Sequence, residues 1–411
     1  MQQKLRKDAD SIIQSSISAV LPDAAVQRAL EGKEFPGKVV LVAAGKAAWQ
    51  MAKAAYDSMG DRITSGIIIT KYDHVKGPVG ELVCREAGHP VPDENGYRAT
   101  AEAVELVSGL DSEDTVLFLL SGGGSALFEL PLCSAEELQD VTGQLLACGA
   151  DIVEINTIRK RLSRVKGGRF AQLAAPAQVF TVVLSDIVGD PLDMIASGPA
   201  YPDSSTCAQA LEIAEKYSLR LSSDALALLK QETPKVLDNV TTVVTGSVSQ
   251  LCKAAATACE DLGYETQILT ETLDTQAKDA GAWLAKIATE NAGKGKKLAF
   301  IAGGETVVKL TGKGKGGRNQ ELALAAAAGI DTFAGTAVFS VGSDGTDGPT
   351  DAAGGYVDWT TAQRLRDLGV EIPAVLKEND AFHALEKVDG LIITGPTGTN
   401  VNDVAVALIN G

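Results

Sequence analysis

Histidine is scarce in this sequence, with only His74, His89 and His383 in 411 residues. Six cysteines, Cys84, Cys133, Cys148, Cys207, Cys252 and Cys259, form no CxxC pair, and none has a histidine at metal-ligand spacing. A zinc site is therefore not expected, and the thiols read as small apolar groups of a reducing compartment. No apolar run approaches the roughly 18 residues of a membrane span. The opening MQQKLRKDADSIIQ lacks the apolar core of a signal peptide, so a cytoplasmic location without membrane partners is expected. Basic charge is also short: 37 Lys and Arg face 53 Asp and Glu, a net charge of −16. Nonspecific nucleic-acid binding needs cations that replace counterions, so no nucleic-acid partner is expected. An anionic substrate would have to be met by a few local cations.

Three signatures are missing as well. Gly45-Lys46 follows an apolar run, but GxGxxG would need glycine at 47 and 50, where Ala47 and Gln50 stand. Lys46 is not followed by the Ser or Thr of a P-loop. Ser125 would need glycine at 127 to form a nucleophile elbow, and Leu127 is there instead.

What the sequence does have is a recurring order of short Val-, Ile- or Leu-rich run, glycine-containing turn and amphipathic stretch. VVLVAA (39–44) leads into GKAAWQMAKAAYDSM, and SGIIIT (65–70) follows. TVLFLL (115–120) leads into SGGGSALFELP and a helix from about Ser134, and QVFTVVLS (178–185) leads into DIVGDPLDMIASGP. Strands apolar throughout that alternate with helices predict a parallel sheet covered on both faces. The length exceeds one typical core. The expected class is α/β with two α/β domains: an N-terminal Rossmann-like, mostly parallel three-layer domain over 1–235, and a C-terminal domain with a mixed sheet over 236–411. No linker marks the boundary near Thr233-Pro234. In the second domain TTVVTG (241–246), YETQIL (264–269) and 335–341 read as strands. Helices are expected up to Leu262 and over Gln276–Asn291 and Asn319–Ala328. KLAFIAGGETVVKL (297–310) predicts a hairpin on its Gly-Gly. GLIITGPTGTNVNDVAVALI predicts strand, loop and helix.

Ligands of open parallel sheets bind beyond the strand ends, and the unusual motifs all fall there. Lys46, in a first helical turn, suits an anionic partner more than it suits the helix; its plain alternative is an exposed lysine. Gly122, Gly123 and Gly124, flanked by Ser121 and Ser125, can present several N–H groups to a phosphate; the plain alternative is a tight packing turn. Asp186, directly after a strand, can serve as base or metal ligand, whereas Asp190 before Pro191 also fits a helix cap. RVKGGR (164–169) reads either as an anion-binding turn or as a solvated patch. GKGKGGRNQELAL puts Lys313, Lys315 and Arg318 at a helix entrance with Asn319 as a possible cap, and Glu305 lies just upstream. FSVGSDGTDGPTDAAGG (339–355) brings Asp344, Asp347 and Asp351 together with five glycines. It reads as a wall for the hydroxyls or the metal of a polyoxygenated ligand.

Taken together, AAGKAAWQMA, LLSGGGSALFELP, KGGR, LSDIVGDPLDMIASGP, GGETVV, GKGGRNQELAL, SVGSDGTDGPTDAAGG and GPTGTNVND resemble the glycerate 2-kinase family, in which a glycerate-kinase domain precedes a MOFRL domain. The resemblance implies ATP-dependent phosphorylation of D-glycerate on its 2-hydroxyl with Mg²⁺ or another divalent cation, in a cleft between the domains. It puts the family's key lysine on Lys46 and its key arginine on Arg318. Asp186 is then a third catalytic candidate and, with Asp190, a metal ligand. Gly45 and Ser121 to Ser125 are expected to hold the nucleotide, and Glu305, Asn319, Asp344 and Asp347 the substrate. Replacing Lys46 or Arg318 by Ala is expected to remove turnover and leave the fold intact. Monomer and homodimer stay open. Members of the family are often labelled hydroxypyruvate reductase; that NAD(P)H-dependent activity and a non-catalytic sugar-acid or phosphosugar sensor are the competing readings, the former opposed by the missing dinucleotide fingerprint.

Overall fold

The computed structural model describes every residue except Asp186, Val188 and Asp190. The candidates Asp186 and Asp190 therefore lie outside the described residues. Two compact units emerge, one built on Ala25–Ser185 and the stretch ending at Thr245, the other on Met1–Ala24 and Gly246–Gly411. Among the described residues, no helix is long and apolar enough to cross a membrane.

The first unit carries a sheet of six strands, β1 (Val39–Ala44), β2 (Ile63–Lys71), β3 (Val83–Ala87), β4 (Thr115–Leu120), β5 (Gln178–Leu184) and β6 (Val240–Gly246), in the order β3-β2-β1-β4-β5-β6. The pairs from β3 through β5 are parallel. β1 and β4 are buried along their whole length, as their unbroken apolar sequences require of central strands. On one face Leu41, Ala43, Leu117 and Leu119 pack with Ala48, Met51, Ala52 and Ala55 of helix Ala48–Met59. Elsewhere in this unit Phe118, Phe128 and Phe170 pack in tilted and edge-to-face pairs with centroids 4.8–5.4 Å apart.

The second unit carries β7 (Glu265–Leu273), β8 (Lys297–Gly304), β9 (Thr336–Gly342), β10 (Gly354–Asp358), β11 (Leu391–Ile392) and β12 (Asp403–Asn410), in the order β11-β10-β9-β12-β8-β7. Only β7 and β8 pair in parallel; the other pairs are antiparallel. Helices Gln2–Ala19 and Val248–Asp261 share one core with this sheet, and helices Ala277–Asn291 and Arg318–Gly329 share the other.

The α/β class with a parallel and a mixed sheet holds, but several elements differ from expectation. TTVVTG, expected as the first strand of the second domain, is instead the edge strand of the first sheet, next to β5. Residues 305–310 add no strand to β8, so there is no hairpin; the antiparallel pairing comes from the late strands β9 to β12 instead. The final NDVAVALI, expected as a helix, is the central strand β12. A short apolar run buried on both faces carries no periodicity to separate the two choices. VCREA was not expected as a strand: β3 is an edge, half exposed and bearing Arg85 and Glu86.

Candidate functional site

In the first unit the strand order reverses between β1 and β4, the point at which doubly wound sheets leave a crevice beyond the strand ends. Ala44 and Leu120 are register partners, so the turn after each strand starts beside the other. Gly45 has φ +125°, and a Cβ on it would lie 2.2 Å from Ser121 Oγ; only glycine allows this approach. Buried Ser121 accepts the Ala47 N–H at 3.1 Å, and the Lys46 N–H donates to the Gly122 carbonyl at 2.9 Å. The two turns are thus stitched into one. The amides of Gly124, Ala126, Leu127 and Phe128 are spent inside the second turn. Those of Gly122, Gly123 and Ser125 donate to no acceptor among the described residues. The exposed Lys46 ammonium likewise has no ion-pair partner among the described residues.

His89 completes this group. A Cβ on Gly123 would lie 3.1 Å from both His89 Cδ2 and Lys46 Cγ, so the imidazole and the lysine stem both line the glycine turn. Burial, then Lys46 and Lys71, hold the His89 pKa below its ordinary value, which keeps the ring neutral at neutral pH. The sequence signal was available: His89 lies just past the end of β3, as the other motifs lie past the ends of their strands, but β3 itself was not seen.

The KGGR turn is neither an anion site nor a solvated patch. Lys166 is fully buried, donates to the carbonyls of Phe128 (3.1 Å) and Ala196 (3.3 Å), and lies 3.6 Å from the buried Glu129 carboxylate. Burial holds its amine down to about 8, although Glu129 pulls it up. Arg169 donates to the carbonyls of Lys160, Arg161 and Ser163. The Gly167 and Gly168 amides donate to Ser197 and Gly198. The motif therefore braces Ala196-Ser197-Gly198, whose three φ values are positive. Ala196 backs the glycine turn: a Cβ on Gly124 would lie 2.8 Å from its Cβ.

In the second unit Asp403, first residue of β12, pairs in register with Gly304 at the end of β8 and Gly342 at the end of β9. This places it between Glu305 and Asp344, the residues that continue from those ends. Arg318, first in helix Arg318–Gly329, reaches back to it: Nε and Nη2 donate to the Asp403 carboxylate at 2.5 and 3.0 Å, and Nη1 donates to Glu305 at 2.8 Å. Asp403 is only 6 % exposed. Burial outweighs Arg318 there and lifts the carboxyl above its usual range; at Arg318 desolvation is the largest single effect, but its hydrogen bonds to Asp403 and the charges of Asp403, Glu305 and Asp347 together exceed it and hold the guanidinium firmly charged. A Cβ on Gly342 would lie 3.3 Å from Asp403 and 3.4 Å from Asp344, so this small residue separates two carboxylates.

Asp347 and Asn319 sit behind this front. Both are buried. Asp347 accepts the amides of Asn319 (3.2 Å) and Gln320 (2.9 Å) and so caps the helix that carries Arg318. Burial pushes its carboxyl up to about 7 against those two bonds. The Asn319 side chain donates to Asp347 and accepts from Ser340. Glu305 is exposed and Asp344 half-buried. Of the other cations on the glycine-rich loop, Lys315 lies over the Phe382 ring, 4.2 Å from its centroid. Asp403 was missed in the sequence because its partner stands 85 residues away.

The first unit thus has unspent amides and, among the described residues, an unpaired lysine at the switch point of a doubly wound parallel sheet, and the second unit sets an arginine among carboxylates at the strand ends of a mixed sheet; each is an α/β unit with groups able to hold an anion. Residues 8–230 match the domain of unknown function DUF4147, and residues 298–403 match the MOFRL family. The chain belongs to the family that joins these two domains. It is 51 % identical over 413 residues, 99 % of each chain, to the D-glycerate 2-kinase of Thermotoga maritima. It is 41 % identical to the glycerate 2-kinase of Pyrococcus horikoshii, across 92 % of this chain and 90 % of that one. The crystal structure of a glycerate kinase from Thermotoga maritima superimposes with a TM-score of 0.94 at 50 % identity, covering 99 % of this chain and 100 % of that one.

Proposed function

We propose that this protein is a glycerate kinase, transferring the γ-phosphoryl group of ATP to the 2-hydroxyl of D-glycerate to give 2-phospho-D-glycerate and ADP. The observation that carries the reading is the switch-point turn, where the unspent amides of Gly122, Gly123 and Ser125 accompany the unpaired Lys46 ammonium. Phosphoryl transfer asks a protein for positioning and charge stabilisation more than for covalent chemistry, and this turn offers both. The named activity of the relatives supports the same conclusion.

Gly45 and the 121–125 turn hold the nucleotide phosphates, and Lys46 meets the charge of the transferring group. Arg318, with Glu305 and Asp344, binds glycerate through its carboxylate and hydroxyls. Asn319 and Asp347 set that arginine from behind. Asp186 takes the hydroxyl proton and, with Asp190, forms the metal site. Mg²⁺ or another divalent cation is typically held by one or two carboxylates together with substrate phosphates. Among the described residues no group of three His, Cys, Asp or Glu is placed to hold a metal ion. Bound by Asp186 and Asp190, the cation neutralises phosphate charge. A cytoplasmic monomer or homodimer completes the proposal.

The order of the first sheet is shared with dinucleotide-binding sheets, so the test must separate kinase from reductase. D-glycerate, ATP and Mg²⁺ are coupled to enolase and pyruvate kinase without phosphoglycerate mutase, which reports 2-phosphoglycerate alone. A parallel cuvette holds hydroxypyruvate with NAD(P)H. Signal in the first is expected; signal only in the second overturns the kinase, and silence in both points to another hydroxy acid or to a sensor.

A further inference from the structure

We propose that His89 is a phosphate-binding residue of this site, donating a ring N–H to a nucleotide phosphate oxygen held over the 122–125 turn. The inference rests on the kinase reading above and adds a residue to it. His89 is half-buried, and its ring nitrogens have no hydrogen-bond partner among the described residues. Its surroundings explain this. The groups that line the turn with it are donors: the amides of Gly122, Gly123 and Ser125, and the ammonium of Lys46. A half-buried imidazole set among donors lacks an acceptor, and an anion with many lone pairs supplies it.

Charge fits the same partner. Protonation beside Lys46 and Lys71 in a partly buried setting is unfavourable, so the ring meets its ligand neutral, as a directed donor. The cationic work is left to Lys46. The position of the ring selects the ligand. It lines the turn after β4 at the switch point of the sheet, where doubly wound folds seat nucleotide phosphates, so the nucleotide is its partner and not the hydroxy acid.

The test is calorimetric titration of the full-length protein with ADP and separately with D-glycerate. His89→Ala should weaken ADP binding by about ten- to a hundredfold, the loss expected for a hydrogen bond to a charged group. D-glycerate affinity should stay within about twofold, the scatter of a surface change away from its site. His89→Asn, which keeps an N–H donor, should recover a large part of the loss. Unchanged urea midpoints exclude a folding defect, and His89→Leu, which refills the volume, replaces the Ala variant if that one unfolds. Unaltered ADP affinity in both apolar variants overturns the assignment, as does a loss confined to D-glycerate. A wild-type protein that binds no ADP brings down the kinase reading itself, an outcome distinct from failure at His89 alone.

Discussion

Arg318→Ala and Lys46→Ala should both remove turnover, yet only one of them should leave the fold undisturbed. The sequence alone suggests that both do. The structure separates them by what each cation leaves behind. Lys46 is exposed and unpaired among the described residues, so its truncation should stay within about 0.5 kcal/mol of wild type. Arg318 is bound through two nitrogens to Asp403, which is 6 % exposed. Removing it strands a buried carboxylate, at a cost of about 3–5 kcal/mol. The Glu305 contact adds at most about 1 kcal/mol, since both side chains there reach solvent. Urea unfolding at pH 8, with equal m-values required, measures the difference. The double variant Arg318→Ala/Asp403→Asn removes the stranded charge and should regain at least half of the lost stability while remaining inactive. Unfolding of Arg318→Ala at the wild-type midpoint would refute the argument, because it would mean that Asp403 does not depend on its partner.

Three further outcomes can be checked together. The Asp347 carboxyl, raised to about 7 by burial, binds a proton in the native state that the unfolded chain releases near 3.8. Its contribution to stability is therefore greatest at low pH and is lost as pH rises through 7, so going from pH 8 to pH 5 should shift the comparison of Asp347→Asn with wild type against the variant by about 2–3 kcal/mol; a pH-independent difference sinks the assignment. Gly45→Ala should destabilise by about 3 kcal/mol or more, because the new methyl meets both Ser121 Oγ (2.2 Å) and the Ser121 carbonyl (2.6 Å) at a φ of +125°. Since the carbonyl stays, adding Ser121→Ala should not rescue it, and a wild-type melting profile for Gly45→Ala would count against the stitched turns. Lys166→Met leaves the buried Glu129 with Arg159 as its one cationic partner among the described residues and frees the Phe128 and Ala196 carbonyls, so it should cost about 3 kcal/mol and raise KM for ATP more than KM for D-glycerate; equal rises would mean that the brace does not act through the glycine turn.

Much of the fold was legible because its central elements repeat one physical pattern. β1 and β4 coincide with VVLVAA and TVLFLL, since a strand buried on both faces must be apolar along its length. Helix starts were legible where a cap announces them: Ser134 accepts the Glu137 amide at 3.1 Å, at the predicted start. Edges and late strands were not. β3 mixes charge with half-exposed positions, and β10 and β11 are short and glycine-bounded. β12 offered only a uniform apolar run. The hairpin failed for another reason: Gly304, at φ +151°, ends β8 beside Leu273 of β7, too close for any side chain.

For the candidate site the division follows the range of the interactions. Local chemistry exposed Lys46, the glycine turn, Arg318, Glu305 and Asp344, because a cation or a glycine run at a strand end is anomalous within a few residues. Whether a polar residue faces a ligand or its own chain is decided by partners far away in sequence. KGGR looks like an anion turn until Glu129 and the carbonyls of Phe128 and Ala196 close around Lys166. Asp347 looks like a ligand for hydroxyls until the amides of residues 319 and 320 meet it. Asp403 and His89 run the other way. Each is an ordinary residue locally, and each joins a site only because the sheet brings its strand end beside the others. A carboxylate or imidazole at the end of an unrecognised strand is thus where a sequence search of this fold should look next, and the two residues it would have found here are those on which the Arg318 and ADP-binding experiments turn.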